Sequence, residues 1–234
     1  MQTKASGQKY DRKAWWLFLA GLLFSILWPS ASTATKYGLQ VAQPFVLSIA
    51  RFFLAGIIML IVTHLIFRSR LPRKKEWVQL AVYGLLNITL YLGLYVVAMR
   101  QVSAGLGSLA IAANPVFINL IAMLFMKKPV SFPTVFSLLL CSLGVVLAAW
   151  PLFPASVVTP MGLFLLLASM IMYSFGVLYF SACKWNELHI LTINGWQTIL
   201  GGLFLLPAML LTYEAERNVF DGTFLIAVLW LAIP

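Results

Sequence analysis

The chain has 234 residues, 62% of them hydrophobic and only 9% charged, against roughly 25% charged in a soluble globular domain. With a mean hydropathy of +0.96, too few polar groups remain to coat a water-facing shell, so soluble enzymes, nucleic-acid binders and disordered chains are excluded together. The net charge of +10 sits in a tail and in loops between apolar runs, which makes anionic lipid head groups on the cytoplasmic side its expected neighbours.

Apolar runs of about 20 residues, the length that crosses ~30 Å of hydrocarbon, fall near 14–34, 45–67, 77–99, 102–126, 132–150, 161–183 and 192–213. An eighth opens at Thr223 and stops at Pro234, which is only ~18 Å of helix at 1.5 Å per residue. A carboxy terminus there would lie inside the bilayer, so the sequence reads as truncated. None of the runs alternates as barrel strands do. The expectation is an all-α integral membrane protein with seven complete transmembrane helices and the start of an eighth. Short connections make consecutive helices antiparallel neighbours. The stretch Ala14–Trp28 followed by Ser30-Ala31-Ser32 also has the outline of a cleaved signal peptide, but removing it would take away part of the repeat described below.

Basic residues set the orientation. The tail 1–13 carries Lys4, Lys9, Arg12 and Lys13, the second loop five more from Arg68 to Lys75, and later loops Lys127, Lys128 and Lys184. These twelve oppose three on the other side, Lys36, Arg100 and Arg217, which places the N-terminus in the cytoplasm. Cys141 and Cys183 have no disulfide or metal spacing. No glycine loop for a phosphate is present, so no cofactor is implied.

The polar residues within the runs carry the functional reading. Arg51 is the charged residue inside a span, where burial of a cation costs at least ~2.5 kcal/mol unless it snorkels or finds a partner. It reads either as a tie at the outer interface or as a gate or anchor for a solute carboxylate. Asn87, Tyr91 and Tyr95 are spaced four apart and share one helix face, which suits a cavity wall. Asn114 precedes Pro115, and a proline there frees the carbonyl of Ile111, a group tolerated only against another helix or a wet cavity. Trp28-Pro29 repeats the device in the first span, and Tyr173 lies in the corresponding part of the sixth. Gln197, beside Asn194 and Trp196, sits near the start of span seven and reads as an interfacial or structural group.

Residues 51–61 align with 197–207 at an offset of 146, matching Leu54, Gly56 and Leu60 to Leu200, Gly202 and Leu206. Five spans separate the copies, so the second is inverted, as in secondary transporters that hold solute between two halves.

Three segments together resemble EamA-type permeases of the drug/metabolite transporter superfamily. They are Leu22 to Ser30 around Trp28-Pro29, then Pro44 with Ile49-Ala-Arg51-Phe-Phe-Leu-Ala-Gly56, then Val102-Ser-Ala-Gly105 with Ala113-Asn-Pro115-Val-Phe117. The resemblance implies ten helices in two inverted repeats of five, here a first repeat at 14–150 and an incomplete second at 161–234. It also implies a secondary transporter of small metabolites or drugs in a bacterial-type inner membrane, working by alternating access. Two departures stand out. Lys127-Lys128-Pro129 occupies the turn where relatives carry a Gly-Glu-Arg type sequence, and no complete span holds an Asp or Glu. The lack of acidic residues there also leaves an intramembrane enzyme without its acid–base material. A receptor-like seven-helix protein has the opposite N-terminal orientation, and a non-transporting scaffold is separated only by a transport assay.

The charge count yields a direct test. In a chain lacking Cys141 and Cys183, single cysteines at Lys4 and Lys74 should resist an impermeant thiol reagent applied to intact cells. One at Asp221 should react. Labelling of Lys74 from outside overturns the orientation.

Overall fold

The computed structural model describes residues 3–126, 131–150 and 158–233, and every regular element among them is a helix. Lys127 and Lys128, counted in the charge bias, and residues 151–157 at the expected join of the halves lie outside the described residues.

The first helix, α1 (Thr3–Val41), passes through Pro29 without ending. After a two-residue link, α2 (Pro44–Ile61) begins with proline in its first turn, where the missing N–H costs nothing, and finishes in a π-helical turn, Val62–Ile66. The third helix is continuous but not uniform: α3 (Lys75–Gly84) runs into a π-helical stretch, Leu85–Leu92, and on into α4 (Gly93–Ala98). Ser103 caps α5 (Ala104–Ala112) by accepting from the Leu106 N–H. The chain then bends by 44° into α6 (Asn114–Met126). Helices α7 (Phe132–Ala149), α8 (Pro160–Ala182), α9 (Ile190–Thr212) and α10 (Gly222–Ala232) complete the chain.

Five helices are long and apolar enough to cross a membrane, and the bent α5–α6 pair makes a sixth among the described residues. With large side chains such as Trp16, Phe125 and Leu211 at least 70% exposed, their outer faces are built for lipid. The chain is a multi-pass helical membrane protein. The spans do not match the sequence reading one for one. The fourth is broken beside Pro115, which cannot donate back to Ile111, and 132–148 forms an apolar helix shorter than the full-length spans.

The centre of the molecule is where α9 crosses α2 and α3. A Cβ added at Gly56 would lie 2.7 Å from Ile199, and one at Gly195 2.8 Å from Leu60. One at Gly84 would come within 2.5 Å of the Gln197 carbonyl, and one at Gly201 within 2.7 Å of the Gly84 carbonyl. These backbones meet because nothing stands between them. Thr89 donates to the Gly201 carbonyl at 2.8 Å, and Thr63 shares a buried hydrogen bond with Thr192 at 2.9 Å.

Each end of the bundle is tied across distant loops. At the end carrying the basic loop, Arg70 donates twice to the Glu76 carboxylate, both at 2.8 Å, and once to the Asn186 carbonyl at 2.7 Å. Asn186 Nδ2 and the Arg73 N–H also donate to that carboxylate. At the opposite end, Gln43 receives the Glu214 N–H and the Asn218 side chain on its Oε1, and donates to the Thr212 carbonyl. Its own N–H goes to Asn218 Oδ1 at 2.8 Å.

The crossing sets a stability test. Gly201→Ala should destabilise by about 1–3 kcal/mol, because its methyl collides with Ile88 and the Gly84 backbone. Gly144→Ala, whose methyl meets nothing within 4 Å, should leave the melting temperature unchanged or raise it, since alanine is the better helix former.

Candidate functional site

A cavity of about 380 Å³ opens between α1, α2, the third helix, α8, α9 and α10, a size in the range of small-molecule sites. Its walls are apolar and aromatic, with a few polar groups set among them. Trp28 stands on α1 with Phe24 beside it, ring centroids 5.0 Å apart. From α2 come Arg51 and Phe52, with the guanidinium carbon 4.6 Å from the Phe52 ring centre, a cation–π distance.

The third helix supplies the densest part of the wall. Asn87, Tyr91 and Tyr95 all line the cavity, and the first two lie in the π-helical stretch, a distortion frequent at functional sites. Tyr95 shares a 2.8 Å hydrogen bond with the fully buried Ser32 of α1, and Tyr91 packs on Tyr173 of α8 with centroids 4.8 Å apart. Asn87 donates to Gln197 Oε1 at 3.3 Å, and Gln197 donates to Asn194 at 3.1 Å. The Oδ1 of Asn87 and the Nε of Arg51 are buried with no hydrogen-bond partner. Among the described residues no acidic side chain lines the cavity.

The structure therefore brings together Trp28, Arg51, Asn87, Tyr91, Tyr95 and Tyr173. It leaves Asn114, Pro115 and Gln197 off the wall. Asn114 is buried, its Oδ1 also without a partner, but the bend beside it carries it away from the lining. Pro115 contributes that bend, and the carbonyl-bearing Ile111 it would have bonded does reach the cavity. Gln197 is not at a wet interface: it is 4% exposed on the face of α9 that packs against the third helix, where the backbone of Gly84 approaches its own. Neighbouring Trp196 packs edge-on against Trp77 and donates to His64.

Sequence reasoning missed Thr198, Trp230 and Phe52. Thr198 follows Gln197 directly, and only the helix phase, fixed by packing, shows which of the two faces inward. Trp230 lies on α10 and is held to α1 by donating to Ser30 at 3.0 Å.

The model of the EamA-like transporter family matches residues 14–150. Protein PecM of Dickeya dadantii is 30% identical over 89% of this chain and 67% of its own length. An uncharacterized transporter of Bacillus subtilis, YvbV, is 23% identical over 91% of this chain and 67% of its own. A chloroplastic WAT1-related protein of Arabidopsis thaliana is 26% identical over 89% of this chain and 49% of its own. The chain thus spans from about half to two thirds of the length of these relatives.

The Ser32–Tyr95 contact is testable by a double-mutant cycle. Tyr95→Phe should cost about 1–2 kcal/mol by leaving a fully buried hydroxyl unpaired. Adding Ser32→Ala should recover part of that loss in thermal melting, a coupling that independent positions would not show.

Proposed function

The chain belongs to the EamA-like transporter family, a family of small-molecule permeases, and we propose that the cavity beside Arg51 is where it holds its solute. The observation that carries this reading is the wall itself. Arg51 and Asn87, each with a buried polar atom that lacks a partner, line a space ringed by Trp28, Tyr91, Tyr95 and Tyr173, a mixture of polar and aromatic groups that suits an organic solute.

The proposed mechanism is alternating access between two inverted halves, residues 14–150 and 161–234 of a ten-helix protein, in a bacterial-type inner membrane with the N-terminus cytoplasmic. Reciprocal contacts support the inversion. A Cβ added at Gly56 would lie 2.7 Å from Ile199, and one at Gly202 would lie 3.5 Å from Phe52 and 3.9 Å from the Phe53 ring; adding the offset of 146 to 53 and 56 gives 199 and 202. In the same way α10 packs on α2 and α1 just as the third helix packs on α9 and α8. In this reading 132–150 is the fifth span, α5–α6 the fourth, and α10 the start of the eighth. The charge bias supports the orientation.

A carrier and a scaffold differ in how the cavity is reached. With Cys141→Ser and Cys183→Ser in the full-length protein, a cysteine at Ala55, which lines the cavity, should react with an impermeant thiol reagent from either face of oriented vesicles. Modification from one face only, or from neither, overturns alternating access through this cavity.

A further inference from the structure

We infer that the solute is an organic anion, a carboxylate on a flat aromatic body that also bears a hydroxyl or N–H donor. The inference rests on the cavity being the transport site, and it adds the chemical class that site selects.

Charge is the first argument. Arg51 lines the cavity, its Nε is sealed from solvent, and it makes no hydrogen bond to any described residue. The chain's six acidic residues are Asp11, Glu76, Glu187, Glu214, Glu216 and Asp221, and among the described residues no acidic side chain lines the space. A guanidinium is always protonated and presents its donors in a planar fork. Placed in an apolar wall without a counter-ion, it is satisfied best by a carboxylate, which accepts two of those donors at once. A cationic solute would meet Arg51 with like charge and find no carboxylate to offset it. The ammonium of a zwitterion would be equally unpaired.

Shape and hydrogen bonding complete the class. Phe52 lies under the guanidinium, 4.6 Å from its carbon to the ring centre, and covers one of its faces. The aromatic side chains of Trp28, Tyr91 and Tyr173 provide flat surfaces for stacking. Asn87 lines the same cavity with a buried acceptor, Oδ1, that has no partner, so a small rotation of its amide would receive a donor on the solute away from the carboxylate. One cation and one orphan acceptor in the same cavity define a molecule with an acid at one position and an O–H or N–H at another.

The test uses three probes of one shape and different charge: para-hydroxyphenylacetate, its neutral amide, and tyramine. Binding is measured by titration to the purified full-length protein and exchange by counterflow in proteoliposomes. The anion should bind about tenfold or more tightly than the amide, as expected for a charge-assisted pair, and tyramine should bind most weakly. Arg51→Gln should bring the anion down to the level of the amide, and Arg51→Lys should restore only part of the difference. Asn87→Leu should weaken the anion while the same acid without its hydroxyl, phenylacetate, is unaffected. The wild-type comparison stands even if an Arg51 variant fails to fold. Equal binding of acid and amide, preference for tyramine, or binding of none of the three overturns the anion assignment. The Ala55 cysteine result judges the transport site separately, so a cavity reached from both faces with no preference for the anion removes this inference and leaves the other standing.

Discussion

Two helices in a bilayer gain nothing by hiding apolar side chains from lipid tails, which are equally apolar, so their association depends on how closely the backbones approach. Here that approach happens where α9 crosses α2 and α3, through Gly56, Gly84, Gly195 and Gly201. Everything else is placed by that crossing. It brings the Thr63–Thr192 and Thr89–Gly201 hydrogen bonds into range. It also buries Gln197 where it can meet Asn87, and the same helices, α2, the third helix and α9, go on to line the cavity through Arg51, Asn87 and Thr198. A cavity beside a tightly packed seam is the geometric complement of small residues on one side and large aromatic ones on the other.

Polar groups are treated differently at the ends and in the middle. At the basic end a buried carboxylate, Glu76, collects four donor groups from Arg70, Arg73 and Asn186. At the other end Gln43 and Asn218 do comparable work with neutral amides. Both ties join loops from different parts of the chain, and both are saturated. Buried polar atoms without a partner remain on Ser48, Arg51, Gln79, Asn87 and Asn114. Buried polar groups are nearly always paired, and of these five Arg51 and Asn87 are the two that also line the cavity.

Much of this was legible in the sequence because a membrane protein has so few polar residues to spend on structure. Arg51, Asn87, Tyr91, Tyr95, Trp28 and Tyr173 stand out in apolar runs, and each lies on the cavity wall. What escaped was phase. Asn114 looked equivalent to Asn87, but the 44° bend beside it turns it aside. Gln197 looked interfacial from its place near the start of α9, yet the glycine crossing draws that turn inward. Phe52 and Trp230 carried no signal, since an aromatic residue in an apolar span is unremarked until its neighbours are known. Helix positions were readable from composition, while the direction each one faces was decided by contacts across more than a hundred residues of sequence.

The π-helical stretch Leu85–Leu92 has a consequence for how such a protein changes over time. A π-turn holds one residue more than the α-turn it replaces, so it accommodates an extra residue within a span. The register in which Asn87 meets Gln197 while Tyr95 meets Ser32 is set with that extra residue in place. Losing one residue there would let the stretch close into α-turns and leave the segments on either side facing as before, where the same loss from a regular α-turn would rotate everything beyond it by about 100°. The helix would still be apolar and long enough to cross the bilayer. A single-codon deletion there can therefore reshape the cavity wall around Asn87 and Tyr91 while the length of the span and the contacts at its two ends are kept.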